Sequence, residues 1–127
     1  MSTNYINRAR VFRQAMGQPM DCFTPQISEL QAKLIREETD ELMEALEACQ
    51  QDPTNKRATE AALKELTDLV VVCFQMSEAF GWDMDVAYNR VMDSNMSKLV
   101  DGKPLKREDG KVLKGPNYKP PTLIDLV

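Results

Sequence analysis

Residues 37 to 47 read Glu-Glu-Thr-Asp-Glu-Leu-Met-Glu-Ala-Leu-Glu, six acids with no base among them. Such a run is ordinarily a solvated helix face, but helical geometry divides this one. At about 100° per residue, Ile27, Leu30, Leu34, Leu42, Ala45 and Cys49 fall on one apolar stripe. Glu38 lies within that stripe and Glu41 at its margin beside Leu30. Asp40, Glu44 and Glu47 fall on the opposite side, and Glu37 lies between the two sets. Further on, Ala62, Leu66, Leu69, Cys73, Met76 and Phe80 define a second stripe. Glu65 projects into its flank between Leu69 and Val72, and Asp68 follows one turn later at the edge. Glu38/Glu41 and Glu65/Asp68 are thus two i,i+3 acid pairs, each turned towards a surface that should be core.

Like charges at this spacing repel, and a carboxylate without a partner in an apolar setting costs several kcal/mol. Either protein donors satisfy the acids or a cation sits between the two helices. Arg36 and Lys64 are adjacent in sequence, but the wheel directs them away from the acids. A divalent cation is then the economical solution, and ligands that are all oxygen favour Mg²⁺, or Mn²⁺, over zinc or copper. Composition agrees. The 127 residues contain 16 Lys plus Arg, 20 Asp plus Glu and no His. Without His there is no Ser-His-Asp or Cys-His catalysis, no His-ligated zinc or haem, and no di-iron site built on Glu-x-x-His. Cys22, Cys49 and Cys73 form no CxxC pair, and read as small apolar fillers in a reducing, cytoplasmic compartment. No apolar run approaches the ~18 residues of a membrane span, so no membrane association is expected.

Two helices must carry these acids, and four helices can be read along the chain. The first runs from about Asn4 to Met16 and is stopped by Gly17 and Pro19. Thr24-Pro25 signals an N-cap followed by Pro at the first helical position, opening a second helix to about Gln50. Asp52-Pro53 repeats that signal for a third, ending at Phe80 before Gly81. Its run Leu69-Val70-Val71-Val72-Cys73-Phe74 also suits a buried strand, but the pattern extends well beyond strand length on both sides. Asp83 caps a fourth helix to about Leu99. From Val100, the turn signals Asp101-Gly102, Asp109-Gly110 and Gly115-Pro116 indicate an irregular or hairpin arm. The expected organisation is an all-α, four-helix bundle over 1–99 with a short arm, 100–127, on the same domain.

In pattern, Glu37-Glu38-x-x-Glu41 followed by Glu65-x-x-Asp68 resembles the EExxE…ExxD signature of the all-α nucleoside triphosphate pyrophosphohydrolases, the MazG-like superfamily. Val11-Phe12 through Gly17-Gln18-Pro19 resembles its first helix and exit. Ser94-Asn95-Met96-Ser97-Lys98 and Asp109 to Pro116 are similar to its phosphoribosyl-ATP pyrophosphohydrolase-like branch. The likeness covers nearly the whole chain. It implies a single-module, dimeric or tetrameric helical enzyme with Mg²⁺ held by Glu38, Glu41, Glu65 and Asp68. It also implies that Glu37 or Glu38 activates water and that Asn95 and Lys98 contact nucleotide and phosphates.

The chemistry suits the residues. A triphosphate approaches a carboxylate cluster only through bridging cations, which also lower the pKa of an attacking water. The expected activity is hydrolysis between the α- and β-phosphates, giving a nucleoside monophosphate and pyrophosphate. Residues 98–119 hold seven bases and three acids, while the rest of the chain is acidic. The overall charge of −4 disfavours a nucleic-acid polymer as partner. An alternative is a catalytically silent nucleotide-binding or interaction bundle; another is an acidic helical adaptor with no ligand. Trp82 reads as a packing residue rather than a base-stacking one, Tyr88 is open to both readings, and the apolar circumference of the third helix favours a homodimer or homotetramer.

Overall fold

The computed structural model describes residues 4–127, which form two compact units, 4–82 and 83–127. The first unit contains α1 (Tyr5–Ala15), α2 (Pro25–Gln51) and α3 (Lys56–Phe80). The second holds α4 (Met84–Met96), a two-stranded sheet of β1 (Leu105–Lys106) and β2 (Val112–Leu113), and a closing 3₁₀ turn at Ile124–Leu126. The all-α expectation holds, with four helices and a small hairpin in the C-terminal arm. No described helix is long and apolar enough to cross a membrane.

Each helix begins with a side chain that accepts a hydrogen bond from an otherwise unpaired backbone N–H. Asn4 accepts from Asn7, Thr24 from Ile27 with Pro25 following it, and Asp83 from Val86. The third helix differs from the sequence expectation. Its cap is Asn55, whose side chain accepts from Arg57 and Ala58. Asp52 instead ends α2, so Asp52-Pro53 lies in a four-residue link that returns α3 along α2 as an αα-hairpin. The β-branched run of α3 is helical throughout, and Gly81 closes it in the left-handed region at φ 77°. A Cβ on Gly81 would also meet the Asp21 Cα at 3.0 Å, so both space and backbone angle call for glycine. Helix α4 stops at Met96, short of the expected Leu99, where the Ser97 N–H bonds back to Asp93.

The apolar core is thin. Among the described residues, the buried apolar ones are Ala9, Leu42, Ala62, Ala79 and Phe80, and they are accompanied by Arg13, Gln31, Gln75, Ser77, Glu78 and Ser94. Leu30 and Leu66, placed by the wheel in apolar stripes, are exposed. In the first unit, polar bonds therefore join the elements. Arg10 grips Asp21 with two bonds and reaches the buried Glu78 carboxylate at 2.7 Å. Arg13 donates to the Pro19 carbonyl and to Gln75. The Asp21 and Cys22 N–H groups donate to the Glu78 and Ala79 carbonyls, stitching the α1–α2 loop to the end of α3. Phe23, Phe80 and Trp82 close that end as an aromatic cluster, which bears out the packing reading of Trp82. Cys22 is exposed rather than a core filler.

In the second unit the strands are antiparallel, with Leu105 opposite Leu113 and Lys106 opposite Val112. Asp101 and Gly102, both at positive φ, make the preceding tight turn. Arg90 pairs with Asp125 and donates to the Thr122 carbonyl. Ser94 donates to the Lys119 carbonyl and Lys119 N–H donates to Ser97, which lays the tail along α4.

Candidate metal centre

The α2–α3 hairpin is what brings the two acid pairs together. An i,i+3 pair occupies one helix face, and antiparallel packing sets Glu38 and Glu41 of α2 against Glu65 and Asp68 of α3. One carboxylate oxygen from each of the four lies within 4.8 Å of the others. Opposite ligands across a six-coordinate cation stand about two metal–oxygen distances apart, about 4.2 Å for Mg²⁺ and about 5 Å for Ca²⁺. The spread of the four oxygens is on that scale.

The electrostatics set these acids apart from a solvated charge run. Glu38 Oε2 and Glu65 Oε2 are buried and have no hydrogen-bond partner among the described residues. Such an atom forfeits hydration without compensation, and a hard cation supplies it. Glu41 is held above the usual carboxylate range. The neighbouring Glu65 carboxyl is the main cause, followed by the charge of Glu38, with Lys64 opposing. Glu41 is itself exposed, as are Asp40, Glu44 and Glu47, which the wheel places on the opposite side.

Lys64 corrects the sequence reading. Rather than pointing away, its Nζ lies 2.6 Å from Asp68 Oδ2 and 3.5 Å from Glu65 Oε1. The i,i+4 spacing brings the ammonium over Asp68, and the four-carbon stem lets it bend around the helix to reach the acids. Among the described residues, one charged donor thus serves the four-carboxylate cluster, and it serves Asp68 and Glu65.

The remaining sequence candidates stand elsewhere. Glu37 is exposed on α2 and is not among the four converging carboxylates. Asn95 is exposed near the end of α4, and the half-buried Lys98 lies beyond the helix, its N–H donating to the Asn95 carbonyl. Both belong to the second unit. One buried residue of α2 was missed by the apolar stripe: Gln31 is only 3% exposed, and its Oε1 has no partner among the described residues. The available signal was its spacing, since position 31 precedes Glu38 by two helical turns and shares its face.

Neither protein-family models nor curated proteins give a match to this chain.

Proposed function

We propose that the protein is a Mg²⁺-dependent nucleoside triphosphate pyrophosphohydrolase of the all-α, MazG-like kind. The observation that carries this reading is the convergence of Glu38, Glu41, Glu65 and Asp68 with two buried, unpartnered carboxylate oxygens. Those four residues would hold the cation, with Mn²⁺ able to replace Mg²⁺ at an all-oxygen site. When bound, the cation would offset the charge of the triphosphate beside the carboxylates and acidify an attacking water.

The chain's own residues do the rest. Glu37 or Glu38 accepts a proton from the water as its oxygen attacks the α-phosphorus. The bond from the α-phosphorus to the bridging oxygen breaks, and pyrophosphate leaves with that oxygen. The family likeness implies that Asn95 and Lys98 would bind nucleotide and phosphates, an ammonium being suited to offset phosphate charge. Nothing in these residues selects a base.

Incubating the protein with a panel of canonical and modified nucleoside triphosphates, with Mg²⁺ or Mn²⁺, tests the reading. Equal amounts of nucleoside monophosphate and pyrophosphate from at least one substrate are expected. No product from any substrate would end the enzymatic reading. Triphosphate binding without product would leave the catalytically silent bundle. Neither binding nor a metal-dependent rise in melting temperature would leave the adaptor, because a ligand specific to the folded state raises that temperature.

A homodimer or homotetramer is part of the same proposal. Leu63, Leu66, Val70 and Val71 of α3 are exposed, and a groove of about 420 Å³ runs between α1 and α3 beside Tyr5, Phe12 and Phe74. An apolar surface of this kind favours self-association. Sedimentation at micromolar concentration should give at least twice the 14.4 kDa chain mass, and a monomer would contradict the assembly.

A further inference from the structure

Among the described residues, Lys64 is the only base that forms an ion pair with any of the four seam carboxylates. Its side chain is 65% exposed, whereas those of Glu65 and Asp68 are 18% and 33% exposed. The ammonium therefore sits at the rim of the seam, and the carboxylates beneath it are not equivalent. Asp68 Oδ2 has a charged donor at 2.6 Å, while Glu38 Oε2 and Glu65 Oε2, deeper in the seam, have none. An ammonium and a dication cannot both take the same Asp68 oxygen without strong mutual repulsion at short range.

We propose that Lys64 is a built-in competitor for the cation site: its ammonium pairs with Asp68 and so opposes a divalent ion that Asp68 would hold together with Glu38, Glu41 and Glu65. The proposal rests on the reading of the α2–α3 seam as a divalent-cation site, and it concerns how tightly that site holds its ion. Glu38 and Glu65, with oxygens already free of donors, provide the ligands that need no exchange. Asp68 provides the ligand whose negative charge is shared with the ammonium. Lys64 thereby keeps intrinsic cation affinity below what four carboxylates alone would give. Its ammonium sits at the rim, on a long and exposed stem, where an anion arriving with the cation would meet it.

The test is Mn²⁺ binding to the full chain, with Mn²⁺ as the sole ligand, followed by calorimetry and by the paramagnetic resonance of free Mn²⁺. The proteins compared are the wild type, Lys64→Gln, Asp68→Asn, the double variant and Glu38→Gln, each checked for helix content. Lys64→Gln should bind Mn²⁺ roughly two- to five-fold more tightly, the range set by loss of an exposed ion pair. In the Asp68→Asn background, the same Lys64 change should give little or no gain, because the two residues act through one contact. Unchanged or weaker binding by Lys64→Gln overturns the proposal. An equal gain in both backgrounds also overturns it, since Lys64 would then act as diffuse charge and not through Asp68. Weaker binding by Glu38→Gln alongside an unaltered Lys64→Gln leaves the seam standing and removes the competitor. Equal binding by Glu38→Gln and wild type, or no binding by the wild type, removes both.

Discussion

Glu65→Gln should lower formation of nucleoside monophosphate and pyrophosphate at least about a hundredfold, which corresponds to about 2.7 kcal/mol of lost transition-state stabilisation. The variant keeps the shape of the side chain and removes only its charge. Glu65 Oε2 is one of the two buried oxygens without a partner, and an amide there offers a cation a much weaker ligand than a carboxylate. Packing should not suffer. Glu65 is the main cause of the upward shift of the Glu41 carboxyl, so neutralising it relieves repulsion and should leave the melting temperature unchanged or slightly raised. That opposition, activity lost while stability is kept, separates a metal ligand from a structural acid. Glu38→Gln should behave alike, since Glu38 Oε2 is the other orphaned oxygen. Glu44→Gln, on the exposed face of α2, should retain full turnover. Steady-state assays beside thermal melts read both quantities, and full activity in both Glu38→Gln and Glu65→Gln would remove these residues from the metal site.

The four acids were legible because the signal is local to each helix: i,i+3 spacing and a hydrophobic stripe fix a face, and a short link fixes which faces meet. Capping was legible for the same reason at Thr24 and Asp83, where the cap immediately precedes its helix. It misled at Asp52-Pro53 because a proline after an acid also fits a turn, and Asn55 two positions later offered a side chain that captures two backbone N–H groups. The wheel treats a side chain as a direction, which suits Leu42 and fails for Lys64. Four methylenes carried that ammonium to acids that its own Cα direction avoids. Leu30 and Leu66 mark another limit, since periodicity identifies an apolar face but not whether a neighbouring element covers it. Least legible were the polar bonds of the first unit. Arg10 and Glu78, or Arg13 and Gln75, lie far apart in sequence, and no spacing rule links an arginine of one helix to a partner two helices later. Burial of Arg13, Gln75 and Glu78 follows only from the tertiary arrangement.

Arg13 is where that arrangement can be broken most sharply. It is 3% exposed, and burial pushes its guanidinium down from its ordinary value, so its position is held by its contacts. Nε donates to the Pro19 carbonyl at 2.8 Å and Nη1 to Gln75 Oε1 at 3.2 Å, while Gln75 Nε2 donates to the Ala9 carbonyl. One planar fork therefore ties α1, the loop that leaves it, and α3. Arg13→Ala leaves the Pro19 carbonyl and the Gln75 oxygen without those donors and opens a void where the stem packed. An unsatisfied buried group costs about 1–3 kcal/mol, so the variant should lose about 3 kcal/mol of unfolding free energy in urea. Arg13→Met restores most of the stem but neither bond, and should fall between alanine and wild type. Arg13→Lys should not recover the wild-type value, because a single ammonium cannot reproduce the two fixed directions of the fork. The acid seam lies between α2 and α3, away from this bond, so well below its melting temperature Arg13→Ala should retain Mn²⁺ affinity. A loss smaller than about 0.5 kcal/mol, the usual range for an inconsequential surface change, would mean that Arg13 does not hold the first unit together.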